Sequence, residues 1–189
     1  MTYQYTIIYP FLFLIGLSFI GCSNNSDAGD TTRQTTVKEK AKEQSEKEDE
    51  EPEKLNEESA VEFLTKYGET HNQNLLEVET PKGKIKIRLY NNVPLHRANM
   101  LYLTQKGYFD DTWFYRVSNG HVIQAGNTDG TKTIKKRKKI GEYTVPAEVV
   151  ATNYHKRGAV AMARSYYQNP EKSSDPFEFY IVLGSTYTP

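Results

Sequence analysis

"FYRVSNGHVIQAGN", Phe114 to Asn127, sets an arginine inside an aromatic, strand-like run and a glutamine at the end of an apolar one. Either polar group is costly to bury without a partner, so the stretch asks what needs a guanidinium and an amide side by side on an apolar sheet. The parity of the connection decides whether they meet. Side chains alternate between faces, and residues on paired strands share a face only where the register matches them. Arg116 stands opposite Gln124 if the turn between them holds an odd number of residues or a bulge intervenes. A four-residue turn, Ser118 to His121, with plain pairing puts Gln124 on the wrong face.

Outward from this stretch the chain alternates apolar and polar residues. In "LLEVETPKGKIKIRLY", Ile85, Ile87 and Leu89 take one face and Lys84, Lys86 and Arg88 the other, which predicts a half-buried hairpin around a Pro-Gly turn. "NNVPLHRANMLYLTQKGYF" predicts a helix with Pro94 in its first turn, where a missing N–H costs nothing, and Gly107 past its end. His96 of that helix is expected at the solvent with no catalytic role. "TWFYRV", "HVIQAG", "KRGAVAMAR" and "FEFYIVLG" are further strands, with Ala159, Ala161 and Ala163 on one face of the third, and with Phe179 and Ile181 of the fourth opposed to Tyr180 and Val182. Several short strands and one helix predict a mainly β protein, an antiparallel β-barrel with a helical lid.

The front of the chain has a different texture. Residues 1–21 are mostly apolar and run into Cys22, the single cysteine of the 189 residues, so no intramolecular disulfide can form. "FIGC" resembles the lipobox of bacterial lipoproteins, which implies a signal peptide over 1–21, lipidation at Cys22 and an extracytoplasmic, membrane-anchored protein; an uncleaved membrane anchor is the alternative. Residues 22–59 predict a disordered charged tether: between Lys38 and Glu58 five lysines face ten acidic residues. Residues 60–74 suggest a linker helix, and the packed domain is expected over 75–189. The whole chain balances 24 basic against 24 acidic residues, because "KTIKKRKKI" brings six Lys or Arg between Lys132 and Lys139. That run reads as a solvated loop, and without interleaved aromatics it gives no reason to expect nucleic acid.

The segments "FYRV…VIQAG", "AVAMAR" and "FEFYIVLG" resemble successive signatures of the cyclophilins, the peptidyl-prolyl cis/trans isomerases of the eight-stranded barrel fold, and "VPLHRANMLYLTQKGYFDDTWFYRV" resembles the family's helix-then-strand entry. The resemblance implies isomerisation of X–Pro bonds in exported or partly folded chains, with proline-containing polypeptides as partners and neither cofactor nor metal. It implies that Arg116 is the catalytic arginine and Gln124 its glutamine clamp, with Phe114, His121, Val122, Ala163, Arg164, Glu178, Phe179 and Tyr180 around the substrate. A proline-segment binding module without catalysis, or a non-functional truncated fragment, are the rival readings.

Departures from the family pattern sharpen the expectations. His121 stands where an aromatic is usual, Arg164 where asparagine is, Glu178 where glutamine is, and Asp175-Pro176 where a flexible glycine is. Glu178 is expected to pair with Arg164 or to pull on Arg116. The sequence ends at Pro189, before the family's tryptophan, leucine and histidine and the closing strand and helix. The barrel is therefore expected to lack its C-terminal closing elements.

Overall fold

A computed structural model describes residues 4–8, as backbone, and 54–185. Nine strands and three helices follow in chain order: β1 (Gln4–Ile8), β2 (Leu55–Asn56), α1 (Ala60–Thr70), β3 (Leu75–Thr80), β4 (Gly83–Arg88), α2 (Pro94–Gln105), β5 (Thr112–Ser118), β6 (Val122–Asn127), α3 (Thr131–Ile140), β7 (Gly141–Glu142), β8 (Val160–Met162) and β9 (Phe179–Val182). Seven strands form one antiparallel sheet in the order β4-β3-β1-β5-β6-β9-β8, and β2 pairs in parallel with β7. The fold is mainly β and cyclophilin-like, and the described residues hold three helices: α1 and α2 where helices were expected, and α3 in addition. The end strands β4 and β8 do not pair with each other.

The hairpin β3–β4 has the expected faces. Leu76 lies opposite Ile87 and Val78 opposite Ile85, and Leu76, Val78 and Ile87 are buried. Helix α2 starts at Pro94 as predicted and ends before Gly107, whose φ of 61° carries the chain out of the helix. Val93 caps the first turn with no side chain. The Glu148 carboxylate does so instead, accepting from Leu95 N (3.0 Å) and His96 N (2.9 Å). His96 is half-buried and bonded rather than free at the solvent: its Nδ1 lies 2.6 Å from Glu148 Oε2 and its Nε2 3.0 Å from Ser174 Oγ. Burial alone would raise the Glu148 carboxyl, but the His96 ring and the two backbone N–H groups outweigh it and hold the carboxyl below its ordinary range.

The folded unit begins earlier than alternation alone suggested. Leu55, Ala60 and Leu64 are buried in the main core, with Leu101, Leu103, Phe109 and Phe179. In α1, Ala60, Leu64 and Gly68 recur every four residues and form its buried stripe. An added Cβ at Gly68 would come within 3.2 Å of Ala98 Cβ, so α1 and α2 pack closely there. Arg97 ties them together, donating to His71 O (2.7 Å) and Gly68 O (2.9 Å) at the end of α1. Residues 60–74 are therefore part of the domain, not a linker.

The basic run is also not a loop. Lys and Arg are good helix formers, and Thr133 and Ile140, seven residues apart, anchor one buried edge of α3. Lys136 donates to Gly107 O (2.6 Å) and Asp110 O (2.8 Å), which fixes the helix against the turn after α2. Cys22 and residues 22–53 of the expected tether lie outside the described residues; the end of the tether is ordered, since Leu55–Asn56 form β2 and Leu55 is buried. Residues Gln4–Ile8, inside the stretch read as a signal, pair with β3 (Ile7 opposite Val78) and with β5 (Gln4 opposite Trp113).

Candidate active site

The β5–β6 connection has the odd parity the pairing requires. Ser118 lies opposite Val122, leaving Asn119, Gly120 and His121 as a three-residue turn, and Arg116 lies directly opposite Gln124. Gly120 takes a φ of 66°, and His121 N closes the turn on Ser118 O at 3.0 Å. Across the sheet this rung continues to Tyr180 and Ala161, so Arg116, Gln124, Tyr180 and Ala161 share one face over β5, β6, β9 and β8. Val122 and Val182 lie two positions along on the same face, and both are buried.

A bulge at Tyr115 sorts the remaining residues. Phe114 pairs with Ala125 while Arg116 pairs with Gln124, so Tyr115 is the extra residue and the alternation breaks there. Phe114 consequently joins Ala125, Phe179 and Met162 on the core face. This corrects the expectation that Phe114 and Phe179 flank the substrate: Phe179 is fully buried, and both pack away from the Arg116 face.

The other expected site residues spread around the rung. His121 is exposed at the turn, and its carbonyl accepts from Leu183 N at 2.7 Å. Half-buried Ala163 extends the β8 edge, donating to Glu178 O and accepting from Asp175 N, each at 2.8 Å. Tyr180 places its hydroxyl 2.9 Å from His155 Nε2. Burial, and then the Arg164 charge, push the His155 ring below its ordinary pKa and favour its neutral form. Arg164 lies over the Tyr166 ring at 5.5 Å and makes no ion pair with Glu178.

Glu178 pairs instead with Arg137 of α3 (3.1 Å), which lies in the basic run expected to be a solvated loop. Its carboxylate also accepts from Asn127 Nδ2 (3.1 Å), Tyr115 Oη (2.6 Å) and Gln124 Nε2 (3.0 Å). Gln124 Nε2 donates to Tyr115 Oη as well, and Gln124 Oε1 accepts from Arg116 Nη1 at 3.0 Å. Burial, and then the Glu178 carboxylate, push the Tyr115 hydroxyl far above its ordinary pKa, so it keeps its proton. Arg116 itself is exposed, its guanidinium held by Gln124 on the non-core face. Among the described residues no group of three His, Cys, Asp or Glu is placed to hold a metal ion.

This arrangement sits within a family match. Residues 75–188, more than half of the chain, match the model of the cyclophilin type peptidyl-prolyl cis-trans isomerases. The chain belongs to this family. It is similar to the peptidyl-prolyl isomerase CWC27 of Yarrowia lipolytica, 34% identical over 107 residues that cover 55% of this chain and 29% of that protein. It is also similar to peptidyl-prolyl cis-trans isomerases of Synechococcus elongatus (34% over 89 residues, 47% of this chain and 57% of that one) and Acinetobacter baylyi (32% over 106 residues, 54% and 52%). The match spans under a third of the yeast protein and just over half of each bacterial one. No solved structure matches the chain. The cyclophilin match begins at Leu75, so Leu55, Ala60 and Leu64 of the core precede it.

Proposed function

We propose that this cyclophilin-type domain catalyses cis/trans isomerisation of X–Pro bonds. Amide resonance sets a barrier of ~18–20 kcal/mol to rotation, and X–Pro bonds exchange over tens to hundreds of seconds without a catalyst. Lowering that barrier takes a donor to the lone pair of a pyramidal proline nitrogen and an apolar seat for the ring. The observation that carries the reading is the rung on the non-core face, where Arg116 is held at 3.0 Å by Gln124 beside Tyr180 and Ala161. Arg116 is the donor: its planar fork stays charged and bonds in fixed directions. Gln124, with both Nε2 hydrogens engaged by Tyr115 and Glu178, aims the arginine in the resting site. Tyr180, Val122 and Ala161 receive the proline. The test is the cis-to-trans rate of a short Xaa-Pro peptide with the full chain. Acceleration proportional to protein concentration supports the reading, and the uncatalysed rate at micromolar protein contradicts it.

The proposal extends to an extracytoplasmic setting, with Cys22 lipidated and exported or partly folded chains as clients; what supports it is the "FIGC" ending of an apolar leader. The pairing of Gln4–Ile8 with β3 and β5 favours a second arrangement, in which these residues stay with the domain and cover two strand edges. Mass spectrometry of the protein from the membrane fraction separates them. A diacylated Cys22 as first residue supports the anchor, and an intact N-terminus with Gln4–Ile8 amides protected from exchange supports the strand.

A further inference from the structure

We propose that Glu178, held by Arg137 and Tyr115, is a positioning residue that locks the Gln124 amide in one orientation and thereby aims Arg116. The inference rests on Arg116 being the catalytic donor. An amide side chain has a donor end and an acceptor end of similar shape, and its neighbours decide which way it lies. Around Gln124 that decision is made twice. An ionised carboxylate only accepts, so Glu178 Oε2, 3.0 Å away, must face Nε2. The Tyr115 hydroxyl spends its own proton on Glu178 (2.6 Å) and so accepts the second Nε2 hydrogen. Both amide hydrogens are used, and Oε1 is left facing the Arg116 guanidinium. The flipped amide would set carbonyl against carboxylate and N–H against guanidinium. The glutamine usual at this position both donates and accepts, and so would not dictate the orientation.

A carboxylate this near an arginine would ordinarily capture it. Here Glu178 has its own cation: Arg137 Nη2 and Asn127 Nδ2, each at 3.1 Å, occupy Oε1. Arg137 is in turn fixed, donating through Nε to Tyr108 Oη (2.9 Å) and lying 4.9 Å over the Phe177 ring. Arg116 makes no ion pair with Glu178, and its remaining N–H groups stay available. The basic helix α3 thus serves the site from behind.

The test compares wild type, Glu178→Ala, Glu178→Gln and Arg137→Gln in the full chain, reading kcat and KM for an Xaa-Pro peptide and the ¹⁵N guanidinium resonances of Arg116. We expect Glu178→Ala to lower kcat about tenfold with KM little changed, and to replace the slow guanidinium rotation of Arg116 by averaged signals. Glu178→Gln falls between wild type and Glu178→Ala in both readouts, because its amide can accept from Gln124 but can also donate and so does not dictate the orientation. Arg137→Gln slows catalysis as the freed carboxylate draws on Arg116. Should Glu178→Ala fail to fold, Tyr115→Phe carries the same two readouts with a smaller change. Unaltered Arg116 resonances in the folded variants overturn the proposal, even if kcat falls. A wild type without isomerase activity refutes the catalytic reading instead, and the Arg116 resonances still decide whether Glu178 positions it.

Discussion

At the scale of single residues, parity and face did most of the predictive work and one bulge set its limit. That Arg116 meets Gln124 was legible, because an odd turn or a bulge is a countable condition and "SNGH" had to give up Ser118 to the strand to meet it. That Phe114 turns to the core was not, because period-two alternation carries straight through Tyr115 and nothing in "WFYRV" marks the extra residue. Partners distant in sequence are equally illegible: the sequence offers Glu178 the arginines Arg164 and Arg116, and the one that reaches it is Arg137, 41 residues away. A strict residue-scale test lies at Gly126, whose φ is 101° and where an added Cβ would stand 2.1 Å from Phe177 O. Backbone on the far side cannot give way as a side-chain tip can. We expect Gly126→Ala to lose about 2 kcal/mol or more, read as a lowered denaturation midpoint with an unchanged slope; wild-type stability would show that β6 and the Phe177–Glu178 backbone before β9 are not packed this closely.

At the scale of elements, α1, α2 and the strands β3 to β6, β8 and β9 followed from pattern, whereas β1, β2, β7 and α3, and the packing of α1 into the core, needed tertiary context. Helix α3 shows no broad apolar stripe; its inward edge is Thr133, Ile140 and the half-buried stems of Lys136 and Arg137, so composition pointed to solvent. Helix α2 illustrates an end capped from elsewhere in the chain. Since Glu148 is held below its ordinary pKa in the folded state, it adds stability above its unfolded pKa and loses it as the pH falls through the folded one. Glu148→Gln keeps the shape and removes the charge. We expect its melting temperature to lie below wild type near neutral pH, by an amount corresponding to about 1–3 kcal/mol, with the gap narrowing as the solution is acidified past the carboxylate range. A gap that stays constant with pH would mean that the Glu148 charge does not hold the start of α2.

At the scale of the whole molecule, the folded unit is larger than the segment that resembles the cyclophilins. Leu55, Ala60 and Leu64 bury into the same core as α2 and β9, and β2 seals against β7 next to the end of α3. Deleting them removes whole side chains from a core whose large-to-small changes typically cost ~2–5 kcal/mol each, against a net stability of ~5–15 kcal/mol for a domain. A fragment starting at Leu75 should therefore fail to melt cooperatively, whereas one starting at Lys54 should melt with a single transition. Equal melting of the two would show that α1 is an appendage after all. The central claim concerns Arg116, and its most direct test is the cis-to-trans rate of one Xaa-Pro peptide measured with wild type and with an Arg116→Ala variant of matched melting temperature. Loss of a preorganised donor of this kind lowers the rate by ~10²–10³; that fall is the expected result, and equal catalysis by the two proteins would contradict the account.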